Sequence, residues 1–132
     1  LRLWIDHGQA PVDDTYGYTV YTGKGTPSVR LPFRVLRNDS LVQAVQSADK
    51  KLLQAVFYPG NNGLQAGGVS LTASEPCTVM IKTVAGKSVF TVTDACMNAA
   101  LKKITLTYNG ETIEVPMPQG EFCGRTVSYE LP

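Results

Sequence analysis

The first side chains in this sequence that could do chemistry are Asp6 and His7, an acid and a base that stand next to each other. His7 is the only histidine of the chain. With a serine these residues would supply the three groups of a hydrolytic triad, and the serines considered are Ser28, Ser40 and Ser70. No serine of the chain stands in the Gly-x-Ser-x-Gly turn that exposes a nucleophile. We therefore expect His7 to hydrogen-bond within a local turn.

Carboxylates offer a second possible chemistry, the acid/base pair of a glycosidase. The candidates are Asp13, Asp14, Glu111 and Glu114. Glu114 falls on the solvent face of a predicted hairpin, and the two aspartates follow Pro11 in a predicted turn. Solvated turn residues are therefore the favoured interpretation.

Phosphate and metal sites are also weakly supported. Glycine-rich segments occur at residues 60–63 and at Gly67-Gly68, but no Lys-Ser/Thr pair follows either of them, so we predict turns. One histidine and three cysteines cannot complete a Cys₂His₂ or Cys₄ zinc site. We expect neither a metal nor a cofactor.

Tyrosines suggest sugar binding. Tyr16 and Tyr18 alternate with smaller residues, so in a strand both rings would share one face, with Trp4 near them. Such rings, together with Tyr58, could stack on pyranose rings of a carbohydrate. The alternative, which we favour, is that these aromatic side chains pack a sheet or a neighbouring domain.

The net charge argues against a partner that is bound mainly by electrostatic attraction. The formal net charge is +1, with 12 basic and 11 acidic residues, which excludes the usual basic nucleic-acid binder. Arg30, Arg34 and Arg37 could contact an acidic polymer, and Arg30 and Arg34 could share a strand face, but three arginines form a weak patch. No apolar run is long enough to span a membrane.

The elements that would position these residues are strands. Val occurs 14 times and Thr 13 times, and both favour pleated, half-buried surfaces. Gly and Pro interrupt the chain about every dozen residues, as in a sandwich. Residues 1–6 and 16–20 read as strands, and residues 41–57 as two strands joined by a loop at Asp49-Lys50. The predicted fold class is all-β, an antiparallel two-sheet β-sandwich.

Two hairpins have registers that can be predicted. Asn109-Gly110 favours a type I′ turn, since both positions need positive φ. A second turn is predicted at Ala85-Gly86. Each register places aliphatic side chains on one face, with the pairs Ile104–Val115, Leu106–Ile113 and Tyr108–Glu111 in the first hairpin and Val79–Val92 and Ile81–Phe90 in the second.

The three cysteines cannot all pair within the chain. In the second hairpin Cys77 lies opposite Asp94, so Cys96 is a diagonal neighbour. Diagonal Cα separations of about 7–8 Å exceed those of a relaxed disulfide. We therefore predict no Cys77–Cys96 bridge and expect Cys77, Cys96 and Cys123 to be small buried hydrophobic residues.

Several motifs in order resemble polysaccharide lyase family 8. The segment Trp4-Ile5-Asp6-His7-Gly8, then Pro11 and Tyr16-Gly17-Tyr18, resembles the family's HG-x-x-P…Y-x-Y block. Residues 33–39, 42–45 and 52–57 also match, and residues 92–95 resemble the region in which relatives carry Asp-Pro-Thr. The resemblance extends from about residue 3 to residue 108. This chain departs from it at Asp94-Ala95-Cys96, where the form of the turn is open.

The resemblance implies a structural role for the motif residues, which are His7, Gly8, Pro11, Tyr16, Tyr18 and Asp94. It also implies an activity on hyaluronan, chondroitin sulfates or xanthan by β-elimination, carried out by residues of upstream helical and central domains. None of the family's catalytic residues matches a position here, so we expect this chain to be non-catalytic. A secreted or periplasmic location is implied too.

The same resemblance divides the chain. Residues 1–26 correspond to the last strands of the central domain, and residues 27–132 to the small C-terminal β-sandwich domain. Because Leu1 is not Met and lies in a strand pattern, we expect a fragment of a longer protein. The leading hypothesis is a scaffold that packs on the upstream domains. The alternative is an autonomous carbohydrate-binding module, using Trp4, Tyr16, Tyr18 or Tyr58, for an acidic polysaccharide.

Overall fold

The computed structural model of the chain describes residues 5–13, 15–20, 22–25 and 31–130. The chain divides into two compact units, Leu1–Arg30 and Leu31–Pro132. Within the described ranges the chain forms strands, one short 3-10 helix and no α-helix. The strands are β1 (Phe33–Asn38), β2 (Val42–Ser47), β3 (Leu52–Phe57), β4 (Asn62–Ala66), β5 (Val69–Ala73), β6 (Cys77–Val84), β7 (Lys87–Thr93), β8 (Lys103–Tyr108), β9 (Glu111–Pro116) and β10 (Val127–Glu130), and the 3-10 helix is Gly120–Phe122.

The strands of the second unit form two antiparallel sheets. One has six strands in the order β1-β2-β3-β6-β7-β10, and the other has four in the order β4-β5-β8-β9. Every paired strand runs antiparallel to its neighbour. The predicted class, an antiparallel two-sheet β-sandwich, is therefore confirmed, and so are the two strands predicted within residues 41–57.

The core lies between the two sheets. Phe90 on β7 is fully buried, and its ring meets that of Tyr108 on β8 edge to face, with 5.4 Å between ring centroids. Because these strands belong to different sheets, this aromatic pair joins the two layers. Both sheets contribute further large buried side chains, among them Phe57, Leu64, Leu71, Ile104 and Leu106.

Both hairpin registers are confirmed. The β8–β9 ladder pairs Tyr108 with Glu111 and Leu106 with Ile113, and Asn109 and Gly110 have φ values of 48° and 93°. The β6–β7 ladder pairs Val79 with Val92, and Ala85 and Gly86 turn with φ values of 50° and 80°. Each register buries one aliphatic face. A slip of one residue would turn that face to water, so the burial of the face specifies the register.

A register shift in β1 was not predicted. It lies between Val35 and Arg37, and it pairs Arg34 with Gln46 and Arg37 with Ala44. Gln46 and Ala44 are both buried, so the shift points both arginines to the inner side of this edge strand. In a regular strand, residues three apart would point to opposite faces.

In the turn between β4 and β5 there is no space for a side chain at Gly67. Gly67 has φ +63°, and a Cβ added there would lie 2.7 Å from Nη2 of Arg34 and 2.9 Å from Cδ2 of Leu36. The neighbouring Gly68 has φ +81° but nothing within 4 Å of such a Cβ. Close contact therefore constrains Gly67 in addition to its backbone conformation.

We expect Gly67→Ala to lower the free energy of unfolding by about 2 kcal/mol, since strain at positive φ adds to displacement of the arginine. Gly68→Ala is the matched control, because it carries the backbone strain alone. Urea unfolding of the two variants measures the difference. An equal loss of free energy of unfolding in both variants would show that the contact with Arg34 does not add to the cost of the substitution.

The first unit corrects a prediction. Residues 5–13, 15–20 and 22–25 contain no strand, although residues 1–6 and 16–20 were predicted to form them. Residues 1–4 lie outside the described residues. A strand needs a hydrogen-bonded neighbour, and here the local hydrogen bond is an Asx turn in which the N–H of Gly8 donates to Oδ1 of Asp6 at 2.8 Å.

Candidate functional site

Asp94 organises the loop that follows β7. Its side chain is 3% exposed. Its Oδ1 accepts the N–H of Cys96 at 2.9 Å, and its Oδ2 accepts the N–H of Asn98 at 2.7 Å. The turn that the sequence left open therefore forms, and it is held by the carboxylate.

Two of the arginines considered as a weak patch for an acidic polymer make hydrogen bonds within the fold. Nη2 of Arg34 donates to the carbonyl of Gly67 at 3.0 Å, and its guanidinium also contacts Oε1 of the buried Gln46. Nη1 of Arg37 donates to the carbonyl of Gly63 at 2.6 Å. Both bonds run from the edge strand β1 to the β4–β5 hairpin of the other sheet, and so connect the two layers. Arg30 lies outside the described residues.

Two exposed aspartates stabilise turns through their charge. The backbone N–H of Val42 and then the guanidinium of Arg37 hold the pKa of Asp39 below its usual value of 3.8. The hydroxyl of Ser47 and then the N–H of Lys51 lower the pKa of Asp49 in the same way. Both carboxylates therefore act as acceptors in turns that flank β2.

The motif residues of the first unit are described within that unit only. The rings of His7 and Tyr16 meet edge to face, with 5.9 Å between centroids. Tyr16 and Tyr18 are both exposed. Gly8 has φ +73°, and Pro11 lies within the exposed residues 8–13. Trp4, the third predicted sugar-binding residue, lies outside the described residues.

Tyr58, the fourth predicted sugar-binding residue, follows β3. Its ring is half exposed, and its hydroxyl donates to Oε1 of Gln43 at 2.8 Å. Its N–H donates to the carbonyl of Leu41 at 3.0 Å. An exposed ring with a fixed hydroxyl can stack on a sugar, and this role of Tyr58 stays a prediction.

The remaining candidates are turn and surface residues. Ser70 lies in β5, where its hydroxyl accepts a hydrogen bond from Gln65 at 2.8 Å, and Ser40 lies in the turn before β2. Glu114 is exposed and contacts Lys103 across the hairpin. The glycine-rich residues 60–63 were predicted as one turn, but β4 begins at Asn62 because the β4–β5 ladder extends that far. Ser28 and Asp14 lie outside the described residues.

Side chains that could bind a metal ion are dispersed over the described ranges. There, no three His, Cys, Asp or Glu side chains come together as they would around a metal ion. Nor does any helix in the described part of the chain have the length and apolar character to cross a bilayer.

The outer face of the six-stranded sheet is the candidate interaction surface. One row crosses all six strands, and we call it the outer row; its residues are Val35, Val45, Gln54, Met80, Thr91 and Ser128. Val35 is 58% exposed, and Val45 and Met80 are partly exposed. Apolar side chains therefore lie on the solvent side of this sheet, where water would favour polar ones.

The outer face of the four-stranded sheet differs. Its matching row crosses β4, β5, β8 and β9 and consists of Gly63, Thr72, Thr107 and Thr112. Lys103 and Glu114 lie beside this row and are exposed. The outer face of the four-stranded sheet is thus polar, and that of the six-stranded sheet is partly apolar. The polar face suits contact with water, and the partly apolar face suits contact with another domain.

Sequence reasoning missed the outer row. Val35, Val45 and Met80 looked like ordinary strand residues, since alternation alone does not say which face is inside. The available signal was a continuous run of apolar residues in β6, whose Met80 stands between the buried Val79 and Ile81.

The cysteines differ in their surroundings, which corrects the prediction that all three are buried. All are free thiols, and Cys77 is buried, Cys96 exposed and Cys123 partly exposed. Burial, and then the charges of Asp94 and Glu75, raise the pKa of Cys77 to about 12. Cys96 and Cys123 lie in turns outside the ladders, where they contribute no side chain to a sheet face.

We expect iodoacetamide to alkylate Cys96 and Cys123 in the native protein but Cys77 only after unfolding. The thiolate is the reactive form, and Cys77 is both protonated and shielded. Peptide mass spectrometry after labelling with and without urea measures this. Equal native labelling of Cys77 would contradict the burial of β6.

Three comparisons with known proteins agree with one another. The family model described as polysaccharide lyase family 8, C-terminal beta-sandwich domain, matches residues 34–101, just over half of the chain. Chondroitinase-AC of Pedobacter heparinus is 32% identical over 139 aligned residues, which cover 98% of this chain and 20% of that protein. A hyaluronate lyase of Thermasporomyces composti is 27% identical over 112 residues, 80% of this chain and 14% of that protein.

A solved structure agrees with the sequence matches. A chondroitinase AC lyase, determined in complexes with oligosaccharides, superposes with a TM-score of 0.64 at 31% identity. The match covers 74% of this chain and 15% of that one. The chain thus spans a fifth or less of the length of these relatives.

Proposed function

This chain belongs to polysaccharide lyase family 8 and contains the family's C-terminal β-sandwich domain, and from this premise we propose that it is the non-catalytic support domain of a lyase. The parent protein cleaves uronate-containing polysaccharides of the chondroitin or hyaluronan type. Its upstream helical and central domains hold the substrate and the catalytic groups, and this domain packs against them.

The proposed parent reaction is a β-elimination. A base removes the proton α to the uronate carboxylate, whose charge is neutralised by the site. The bond to the glycosidic oxygen then breaks, the oxygen leaves with a proton, and a carbon–carbon double bond forms in the uronate ring. This chemistry needs a base and a proton donor at the same sugar ring.

The observation that carries a non-catalytic role is the engagement of the domain's own polar groups. Both oxygens of the Asp94 carboxylate accept backbone N–H groups. The Arg34 and Arg37 guanidinium groups donate to carbonyls of the opposite sheet. These residue types could neutralise or attack a substrate, but here their hydrogen bonds hold the fold together.

The outer row supports the packing role. Val35, Val45 and Met80 form an apolar strip, interrupted by Gln54, on one outer face of the sandwich, whereas the row on the other outer face holds three threonines and Gly63. An apolar strip bordered by polar residues suits an interface between domains of one chain. We assign this strip to the contact with the central domain.

The lyase activity of the chain itself is the first test. The purified 132-residue chain is incubated with chondroitin and with hyaluronan, and the ultraviolet absorbance of the unsaturated uronate product is recorded. We expect no product, and any turnover would overturn the non-catalytic role. Calorimetric titration with oligosaccharides of both polymers tests the other function, because millimolar or tighter binding would favour a carbohydrate-binding module.

The packing role is tested in the full-length parent. A Val35→Glu, Met80→Glu pair places charge on the outer row, and Thr72→Glu, Thr107→Glu places the same charge on the threonine row as a matched control. We expect limited proteolysis to release the C-terminal domain several-fold faster from the first variant only. Equal release from both variants would contradict docking through the outer row.

A location outside the cytoplasm, secreted or periplasmic, completes the proposal, because large polysaccharides are degraded where they occur. Fractionation of the producing cells, with the parent detected by an antibody, tests it. Recovery only with cytoplasmic markers would contradict export.

A further inference from the structure

β7 and β10 are paired strands, and the segment next to the paired end of each carries one cysteine. The two strands run antiparallel, with Val92 paired to Val127. The hydroxyls of Thr93 and Thr126 lie 2.8 Å apart, which extends the pairing one residue beyond the ladder. Beyond Thr93 and Thr126 both segments leave the ladder and turn, and Cys96 and Cys123 lie in those two turns.

Each cysteine occupies the corner of a tight turn. Cys96 is the third residue of a turn closed by the N–H of Met97, which donates to the carbonyl of Asp94 at 3.2 Å. Cys123 is the second residue of a turn over residues 122–125, closed by a bond of 3.1 Å. Cys96 is exposed and Cys123 is partly exposed.

The two turns are in direct contact. A Cβ built on Gly124 would lie 2.5 Å from Cγ of Met97 and 3.5 Å from the carbonyl oxygen of Asp94. Gly124 follows Cys123, and Met97 follows Cys96. The paired strands and the contact between the turns thus bring the two cysteine-bearing turns side by side.

We propose that Cys96 and Cys123 form an oxidisable pair, which closes to an intramolecular disulfide by exchange with a low-molecular-weight disulfide such as oxidised glutathione. One thiolate attacks a sulfur of glutathione disulfide, forming a mixed disulfide and releasing one glutathione. The second thiolate displaces the other glutathione. Two protein thiols are oxidised to one disulfide, and one glutathione disulfide is reduced to two thiols that take up the two protons.

Cys77 does not compete for this bond. It is buried on the inner face of β6, and its surroundings keep its thiol protonated. Exchange needs an accessible thiolate, so the pairing of the other two cysteines is unambiguous.

Closing the bond would restrain the end of the chain. It joins the connection between β7 and β8 to the segment that leads into β10, the edge strand of the six-stranded sheet. A cross-link between Cys96 and Cys123 closes the chain between them into a loop, which removes conformational freedom from the unfolded chain. We expect the melting temperature of the oxidised protein to exceed that of the reduced protein by about 10 °C. This pairing is independent of the proposed function, since it needs only the isolated chain.

The test uses a peptide map of the native chain. The protein is equilibrated at neutral pH with oxidised and reduced glutathione, free thiols are blocked with N-ethylmaleimide after unfolding, and the protein is digested with trypsin without reduction. The three cysteines then lie on separate peptides, residues 52–82, 88–102 and 104–125. We expect peptides 88–102 and 104–125 joined, two hydrogens lighter than their sum, and peptide 52–82 carrying maleimide.

Other outcomes would overturn the pairing. These are glutathione on Cys96 and Cys123 without a joined peptide, or a bridge that involves Cys77. Cys96→Ser and Cys123→Ser should each abolish both the joined peptide and the rise in melting temperature, whereas Cys77→Ala should retain the joined peptide. A rise of equal size in Cys96→Ser would show that oxidation acts elsewhere.

Discussion

Replacing Phe90 by alanine is expected to lower the free energy of unfolding by about 3–5 kcal/mol, the range for removing a buried aromatic ring. Phe90 is fully buried in β7, and its ring contacts Tyr108 of the opposite sheet. The substitution therefore removes apolar contacts and also the edge-to-face pair between the layers. A cavity remains because two hydrogen-bonded sheets cannot close together over it.

Urea unfolding followed by circular dichroism measures the loss of free energy of unfolding. Phe122→Ala is the matched control, since Phe122 is 54% exposed in the 3-10 helix. We expect that control to change stability by less than about 0.5 kcal/mol. The loss of free energy of unfolding in Phe90→Leu should lie between the losses in Phe90→Ala and Phe122→Ala. Similar losses for Phe90→Ala and Phe122→Ala would contradict the assignment of the core.

The second large effect is expected at Asp94, where alanine should cost about 2–4 kcal/mol. The carboxylate is 3% exposed and accepts the N–H groups of Cys96 and Asn98. Alanine leaves both donors without the charged acceptor that fixes the turn, and it also removes a buried side chain from that turn. The loss should accompany loosening of the loop between β7 and β8, seen as faster amide hydrogen exchange at Cys96 and Asn98.

Asp39 provides a matched comparison for Asp94. Its Oδ1 accepts the N–H groups of Leu41 and Val42 at 2.9 and 2.8 Å, so the geometry is similar, but its side chain is exposed. Asp39→Ala should therefore lose clearly less stability than Asp94→Ala, because water replaces the missing acceptor. Asp94→Asn, which retains one acceptor oxygen, should recover part of the loss. Equal losses at Asp39 and Asp94 would show that burial does not set the cost.

The hairpins show which features of the fold local sequence patterns can predict. The registers of β8–β9 and β6–β7 follow from two short turns and from alternating aliphatic residues, all within about 16 residues of chain. The same locality explains why residues 41–57 were assigned correctly as two strands around a turn. The order of the strands in each sheet depends on pairings between distant segments, and the sequence patterns did not predict it.

The cysteines show where a prediction from local patterns was wrong, and the arginines show contacts that local patterns did not predict. Cys96 and Cys123 were expected in the core because cysteine is commonly buried, but turns held by Asp94 and by the contact with Gly124 keep them at the surface. Arg34 and Arg37 were considered as a patch for an anion, but a shift in the register of β1 turns them toward carbonyls of the other sheet. For the arginines a segment far away in the chain, the β4–β5 hairpin, decided the outcome, whereas Cys96 is held by its near neighbour Asp94.

The sequence by itself determined the class of the fold, two hairpin registers and the family, because turn chemistry, side-chain alternation and ordered motifs are properties of short segments. Only the tertiary structure decided that Arg34 and Arg37 join the two sheets, that one outer face carries an apolar strip and that Cys96 and Cys123 lie at the corners of turns in contact. The physical reason is that these features depend on which face of a strand is covered and which distant segment lies beside it. Both depend on packing free energy summed over the whole domain, which no short segment contains.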